Sequence, residues 1–242
     1  MLQLLNSYAM YSNGIGLYNL SYFILVLPVV IISLIVNARV NSTFRKYSEV
    51  ASVRKITGAM AAQIVLKNHG ITNVAINQIP GELSDHYDPR TNTVNLSSSV
   101  FNSTSVAAIG VACHEAGHAV QHAQGYLPIK IRNSLLTPAR IGSSAAIPIA
   151  LIGLFFGMSI LVEVGVILYA FIMLFQLATL PVEFNASNRA VKAIEENGIL
   201  TDDELKGSKK VLKAAALTYV ASFAVTAMNL LRLILLSNNK RK

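Results

Sequence analysis

Apolar and polar positions along this chain fall into three patterns, and each predicts a different kind of element. The first is an unbroken apolar run. Residues 17–36 extend for roughly twenty positions without a charge, the length an α-helix needs to cross a hydrocarbon core of about 30 Å. Residues 141–180 form a run about twice as long, broken only by Glu163 with Gly165 beside it, which predicts two spans joined by a tight hairpin. Residues 214–236 are also apolar, with Thr218, Ser222, Thr226 and Asn229 at helical spacing and Arg232 near the end. Those polar groups are expected to face neighbouring helices, and Arg232 leaves this segment as a fourth span or a re-entrant helix.

The second pattern is helical and less hydrophobic. Val106 to Val120 is helix-compatible, with N-cap oxygens on offer from Asn102, Ser103 and Thr104 and with Gly125 able to close the C-terminus. Ser42 to Lys67 reads as a helix stopped by Gly70 and weakened by Gly58. Ala186, Ala190, Val191 and Ile194 make a stripe that ends at Asn197-Gly198, with Pro181 in a first turn or at a kink, and Thr201 to Glu204 is a capping box that restarts a helix. The third pattern alternates with period two, at Asn73 to Ile79 and Thr93 to Ser97, which predicts two short strands around a turn region at 81–90. The fold class is therefore mostly α and integral to a membrane: three to four transmembrane helices with a small cytoplasmic α+β subdomain. It reads as one membrane-embedded domain over 1–242, comprising a first span at 17–36, a region at 37–140 that contains the Val106 to Val120 helix, a hairpin at 141–180, a connecting helical region at 181–213 and the last apolar helix at 214–236.

Composition agrees with the runs. The chain is 53% hydrophobic and 13% charged, too apolar for an ordinary soluble domain. Its net charge of +8 does not indicate a nucleic-acid partner, because the bases are scattered along loops flanking the spans without aromatic interleaving; a lipid bilayer explains them better. Their distribution also orients the chain. The first sixteen residues carry no Lys or Arg, whereas Arg39, Arg45 and Lys46 follow the first span and Lys130, Arg132 and Arg140 precede the second, which places 37–140 on the cytoplasmic side of a multi-pass cell-membrane protein. Three spans then return the chain to that side after Leu180. A complete fourth span would export Lys240-Arg241-Lys242, against the same rule. The single Cys113 excludes an intrachain disulfide and reads as a small buried residue.

Candidate chemistry concentrates in His114-Glu115-Ala116-Gly117-His118. Positions i and i+4 share a helix face, so both imidazoles reach one ion, and the pattern is that of a zinc peptidase helix. Zinc lowers the pKa of a coordinated water toward about 7, and Glu115 is placed to take the proton as general base. The implied reaction is hydrolysis of a peptide bond in a peptide or protein substrate, a membrane protein being one class. A third ligand is needed. His122 lies roughly 12 Å along the axis from His114, too far to converge, and Gln121 and Gln124 stand where a chain-turning Gly and a third His would be required. Glu183, in Leu180-Pro181-Val182-Glu183-Phe184, is the better candidate. For the oxyanion of the transition state the donors considered are His86, Tyr87, Arg189 and Tyr219, with His86 and Tyr219 carried forward.

Five blocks together resemble the YugP-type neutral zinc metallopeptidases of bacterial membranes: Asp85-His86-Tyr87-Asp88-Pro89-Arg90, Leu96-Ser97, His114 to Gln121, Leu180 to Phe184, and Ala214 to Ala221. The resemblance spans Ser42 to Leu236. It implies a zincin-like, gluzincin-type metalloprotease site related to the membrane-bound heat-shock and prenyl-protein endoproteases, with His114, His118 and Glu183 on zinc and Glu115 as base. In those relatives an acidic residue soon after the third ligand orients a zinc histidine; here Asn185 and Ser187 occupy the nearby positions. Two other readings compete with a membrane-anchored endopeptidase. An intramembrane zinc protease needs an aspartate ligand in an apolar span, whereas Asp85, Asp88, Asp202 and Asp203 all lie in polar stretches. A non-catalytic zinc scaffold using His114, His118 and His122 would have no need of Glu115.

Overall fold

Eleven elements make up the computed structural model, which describes residues 20–239. A π-helical turn at Tyr22–Val26 leads into α1 (Leu27–Ser48). Then come α2 (Gly58–Asn68), β1 (Ala75–Ile79), β2 (His86–Asp88), β3 (Thr93–Ser97), α3 (Ser98–Phe101), α4 (Val106–Ala123), α5 (Leu127–Phe156), α6 (Ser159–Glu196) and α7 (Asp202–Asn239). Among the described residues the chain is mostly helical with one small sheet, and four helices are long and apolar enough to cross a membrane, at Tyr22–Ser48, Leu127–Phe156, Ser159–Glu196 and Asp202–Asn238. Residues 1–19 and the terminal Lys240-Arg241-Lys242, on which part of the orientation argument rests, lie outside the described residues.

Two compact units share these elements. One comprises residues up to 35, 131–179 and 219 onward; the other comprises 36–130 and 180–218. In the apolar unit, α5 and α6 pack through small residues. A Cβ on Gly165 would come within 2.7 Å of the Ala150 Cβ, and one on Gly142 within 2.4 Å of the Leu168 carbonyl oxygen, so glycine sets the close approach that helices in lipid use in place of hydrophobic burial. The hairpin between them does not fall at Glu163, which lies inside α6. It falls at Gly157-Met158, where Gly157 takes φ +73°. A left-handed backbone is what glycine supplies at a helix stop, whereas one charge inside an apolar helix breaks no backbone hydrogen bond.

Pro181 likewise neither starts nor ends a helix, because α6 runs through it to Glu196. A proline there forfeits one hydrogen bond, but the turns on either side continue the helix. At the far end, the Glu204 half of the expected capping box forms. The Thr201 N–H donates to Glu204 Oε2 at 2.8 Å, while Glu204 Oε1 accepts from the Val53 N–H at 2.7 Å, and α7 then continues without a break to Asn239.

The second unit corrects three expectations. The helix expected over 42–67 is interrupted at 49–57, because this stretch pairs with 103–106: Ser52 N–H to the Thr104 carbonyl at 2.8 Å, Gly58 N–H to Ser103 at 2.9 Å and Val106 N–H to Val50 at 2.9 Å. The Thr57 hydroxyl then accepts from Met60 N–H and starts α2 afresh, and a Cβ on Gly58 would lie 2.4 Å from the Val100 carbonyl oxygen. The region 81–90 is not all turn, since β2 lies within it. The sheet order is β1-β3-β2, with β1 parallel to β3 (Ala75 opposite Thr93) and β2 antiparallel to it (Tyr87 opposite Val94). Finally, α4 is capped by the Ser105 hydroxyl, which accepts from Ala108 N–H, not by residues 102–104. Val94 and Leu96 on β3 turn into a core shared with Ala61, Val65, Ile109, Ala112 and Ala116, and with Ala190, Ile194 and Leu205. That core fixes α4 between the sheet and the downstream helices.

Candidate metal centre

Ala112, Cys113, Ala116, Ala119 and Val120 of α4 are buried to within 1% of full burial, so the helix is locked at its middle. Such packing fixes side-chain direction more firmly than helix propensity does. Burial pushes the Cys113 thiol far up, which keeps it a neutral core residue and not a thiolate ligand. His114 and His118, one turn apart, project from the same face with ring centroids 4.7 Å apart and nearly perpendicular planes.

Glu183 meets them from α6. Its Oε2 lies 3.3 Å from His114 Nε2 and 3.6 Å from His118 Nε2, and donor atoms of all three residues lie within 4.8 Å of one another. Tetrahedral zinc with ligand bonds of about 2.0–2.2 Å sets donor atoms about 3.3–3.5 Å apart, so the His–Glu separations are those a shared ion requires. Two neutral imidazoles with one carboxylate also form a donor set suited to zinc. Gly117 is what allows the approach. A Cβ at that position would lie 3.0 Å from the carbonyl oxygen of Ala186, one turn beyond Glu183, so the small residue inside the motif seats the Glu183 stretch of α6 against α4.

Glu115 is 9% exposed. Its Oε2 accepts the Tyr87 backbone N–H at 3.1 Å, which ties the carboxylate to β2 and leaves Oε1 as the oxygen that can take a proton. The short strand missed in the sequence thus has a specific use. The turn ahead of it is held by Asp85, whose Oδ1 accepts the Ser97 N–H at 2.7 Å.

Outer partners hold both rings. Ser187 Oγ lies 3.2 Å from His114 Nδ1, and Gln121 Oε1 lies 3.0 Å from His118 Nδ1. Gln121 is fully buried. The groups against both Nδ1 atoms are therefore neutral, Ser187 from α6 and Gln121 from α4. Spacing carries a signal for both, since Gln121 is i+3 from His118 and Ser187 is i+4 from Glu183.

The remaining candidates sit as follows. His122 is outside the donor cluster, with Nδ1 3.3 Å from the Tyr87 hydroxyl, and that hydroxyl donates to Asn92 Oδ1 at 2.8 Å. His86 Nδ1 is 2.8 Å from the Ser84 carbonyl oxygen and Nε2 is 3.3 Å from Asn95 Nδ2, a pairing that uses the donor of a neutral ring on Ser84. Arg189 donates through Nε to Asn185 Oδ1 at 2.7 Å and through Nη1 to Gln124 Oε1 at 2.8 Å. Tyr219 belongs to the apolar unit, on α7.

Protons compete for this site. Burial alone would lower the His118 pKa, but the Glu183 carboxylate, with Glu115 and the Gln121 oxygen, outweighs it and raises the pKa above the ordinary value. A metal must displace that proton. Zinc affinity, followed by titration over about pH 5 to 9, is therefore expected to decline on acidification from a pH above the usual histidine value of about 6.5. A decline confined to pH below that value would contradict the assignment.

Comparison with known proteins points the same way. A family model described as "Putative neutral zinc metallopeptidase" matches residues 22–238. A protein of Bacillus subtilis (strain 168) called "Putative membrane protease YugP" is 41% identical over 203 residues, covering 84% of this chain and 90% of the relative. No solved structure matches.

Proposed function

The chain belongs to the neutral zinc metallopeptidase family, and from that premise we propose that it is a membrane-anchored zinc endopeptidase acting on peptide or protein substrates, membrane proteins among them, at the cytoplasmic side of the cell membrane. The observation that carries the reading is the convergence of His114, His118 and Glu183 with Glu115 beside them. Those three residues would hold the ion. Bound zinc would supply Lewis acidity, polarising the scissile carbonyl and making water acidic enough to be deprotonated near neutral pH.

The residues of the chain do the rest. Glu115 acts as general base, accepting the proton at Oε1 while the Tyr87 N–H holds Oε2, and then delivers it to the leaving amine nitrogen. Ser187 and Gln121 orient the rings through Nδ1, so that each Nε2 is presented to the ion. Helix and sheet packing around α4 supplies the rigidity this geometry needs. The cytoplasmic placement is supported by the Lys and Arg that flank the first two spans.

A scaffold using His122 finds little support in a ring engaged with Tyr87, and the His/His/Glu cluster contains no aspartate of the kind an intramembrane site calls for. The test is metal removal. Full-length protein in detergent or nanodiscs is expected to lose hydrolysis of an unstructured protein substrate on chelation and to regain it with stoichiometric zinc. Hydrolysis that persists in metal-free protein would exclude the reading.

A further inference from the structure

Arg189 stands two residues from Ser187 and six from Glu183, and neither metal binding nor proton transfer as described uses it. It begins a chain of hydrogen bonds that ends on His118. The guanidinium can only donate. Its Nε donates to the side chain of Asn185 at 2.7 Å, so the atom it meets is the amide oxygen, Oδ1. That same oxygen lies 2.8 Å from the Gln121 side chain, so Gln121 turns its NH2 toward it. The second proton of that NH2 goes to the Val182 carbonyl oxygen at 2.8 Å, and a carbonyl can only accept.

With its nitrogen committed to two acceptors, Gln121 has only Oε1 left for His118, whose Nδ1 stands 3.0 Å away. An acceptor there requires Nδ1 to carry the hydrogen. Nε2, the nitrogen 3.6 Å from Glu183 Oε2, is then the one that carries the lone pair once the ring is neutral. An amide is nearly symmetric in shape, and its orientation is decided by the network around it. Here the donor-only cation sets that network at one end and the Val182 carbonyl sets it at the middle. His114 has no such relay, because its Nδ1 faces a Ser187 hydroxyl that can turn either way.

We propose that Arg189, Asn185 and Gln121 form a polarity relay that fixes His118 in its Nδ1–H tautomer, making Arg189 and Gln121 positioning residues for the metal site. The relay rests on the reading of His118 as a ligand. It explains how a site without the acidic orienting residue of similar peptidases still presents a lone pair to the ion: the orienting charge is a cation three hydrogen bonds away, acting through two amides. Gln121 is fully buried and bonded to the Val182 backbone beside Glu183, so the relay also joins α4 to the ligand-bearing turn of α6.

The test uses full-length, metal-free protein in detergent with 15N-labelled histidine, at a pH where the ring is neutral. Long-range 1H–15N spectra are expected to show His118 as the Nδ1–H form alone. In Arg189→Met the end anchor is gone and the Val182 carbonyl alone orients Gln121, so the spectra are expected to show a second tautomer, with zinc affinity lowered by about 10-fold, the lower end of the range for changes outside the ligand shell. Arg189→Lys keeps a donor-only cation and is expected to restore both readouts. Gln121→Leu is expected to lose zinc affinity by up to about 100-fold. A His118 ring that is Nε2–H in the wild type, or an Arg189→Met variant with unchanged tautomer and unchanged zinc affinity, would overturn the relay. So would Arg189→Lys behaving like Arg189→Met. Wild-type protein that binds no zinc at all would instead refute the metal site, and the tautomer spectra would still decide the relay.

Discussion

Glu115→Gln is expected to lower kcat/KM for peptide hydrolysis by about 10²–10⁴-fold, the contribution typical of a positioned general base, while zinc affinity stays within a few-fold. The separation follows from geometry. Glu115 sits between the two histidines in sequence but outside the donor cluster, and its Oε2 is held by the Tyr87 N–H at 3.1 Å. A glutamine has nearly the same shape, and its amide oxygen can accept that N–H, so β2 and α4 keep their relation. What it cannot do is take a proton. The measurement is parallel: turnover of an unstructured protein by the full chain, and zinc stoichiometry by elemental analysis. Undiminished turnover would sink the peptidase reading, and loss of zinc together with activity would sink the division between ligand and base.

The residues that announce themselves in the sequence are those whose role is local. His114 and His118 are legible because one helical turn puts them on one face, and α4 is legible because its apolar positions run unbroken through the motif. β3 falls on the residues its alternation predicts, with Val94 and Leu96 buried. Glu183 is legible less directly, as a carboxylate just past a long apolar run on a stripe that has to pack.

What is hidden depends on partners distant in the chain. The break at 49–57 is caused by hydrogen bonds to 103–106, which no local propensity encodes. β2 is three residues long, too short for a period to register, and its importance lies in one backbone N–H. Gln121 looks in the sequence like a residue that merely excludes another motif; only with α6 in place does its amide have acceptors on one side and an imidazole on the other. The hairpin shows the opposite error. Glu163 draws attention because a charge is costly in an apolar run, yet the backbone turns at Gly157, where conformational freedom and not polarity decides. Turns follow φ and ψ, and a charge only has to find somewhere to lie.

Glu183→Ala is expected to weaken zinc binding by more than about 100-fold, since changes outside the ligand shell already cost about 10–100-fold and this one removes a proposed ligand. Folding should survive. Val182, Ala186, Ala190 and Ile194 hold this part of α6 in the core, and a shorter side chain at a site facing two imidazoles removes no apolar contact of theirs. A second signature separates ligand loss from general loosening. Glu183 is the first of the groups that raise the His118 pKa against its burial; without it, burial is opposed only by Glu115 and Gln121, and the ring should release its proton at lower pH. The acid limb of zinc binding in the variant is therefore expected to move down in pH even as affinity falls, and titration at the alkaline end, above the acid limb of both proteins, gives the contribution of Glu183 itself. Affinity within a few-fold of wild type at that pH would remove Glu183 from the metal site. An acid limb that stays in place would show that its carboxylate does not govern the His118 proton.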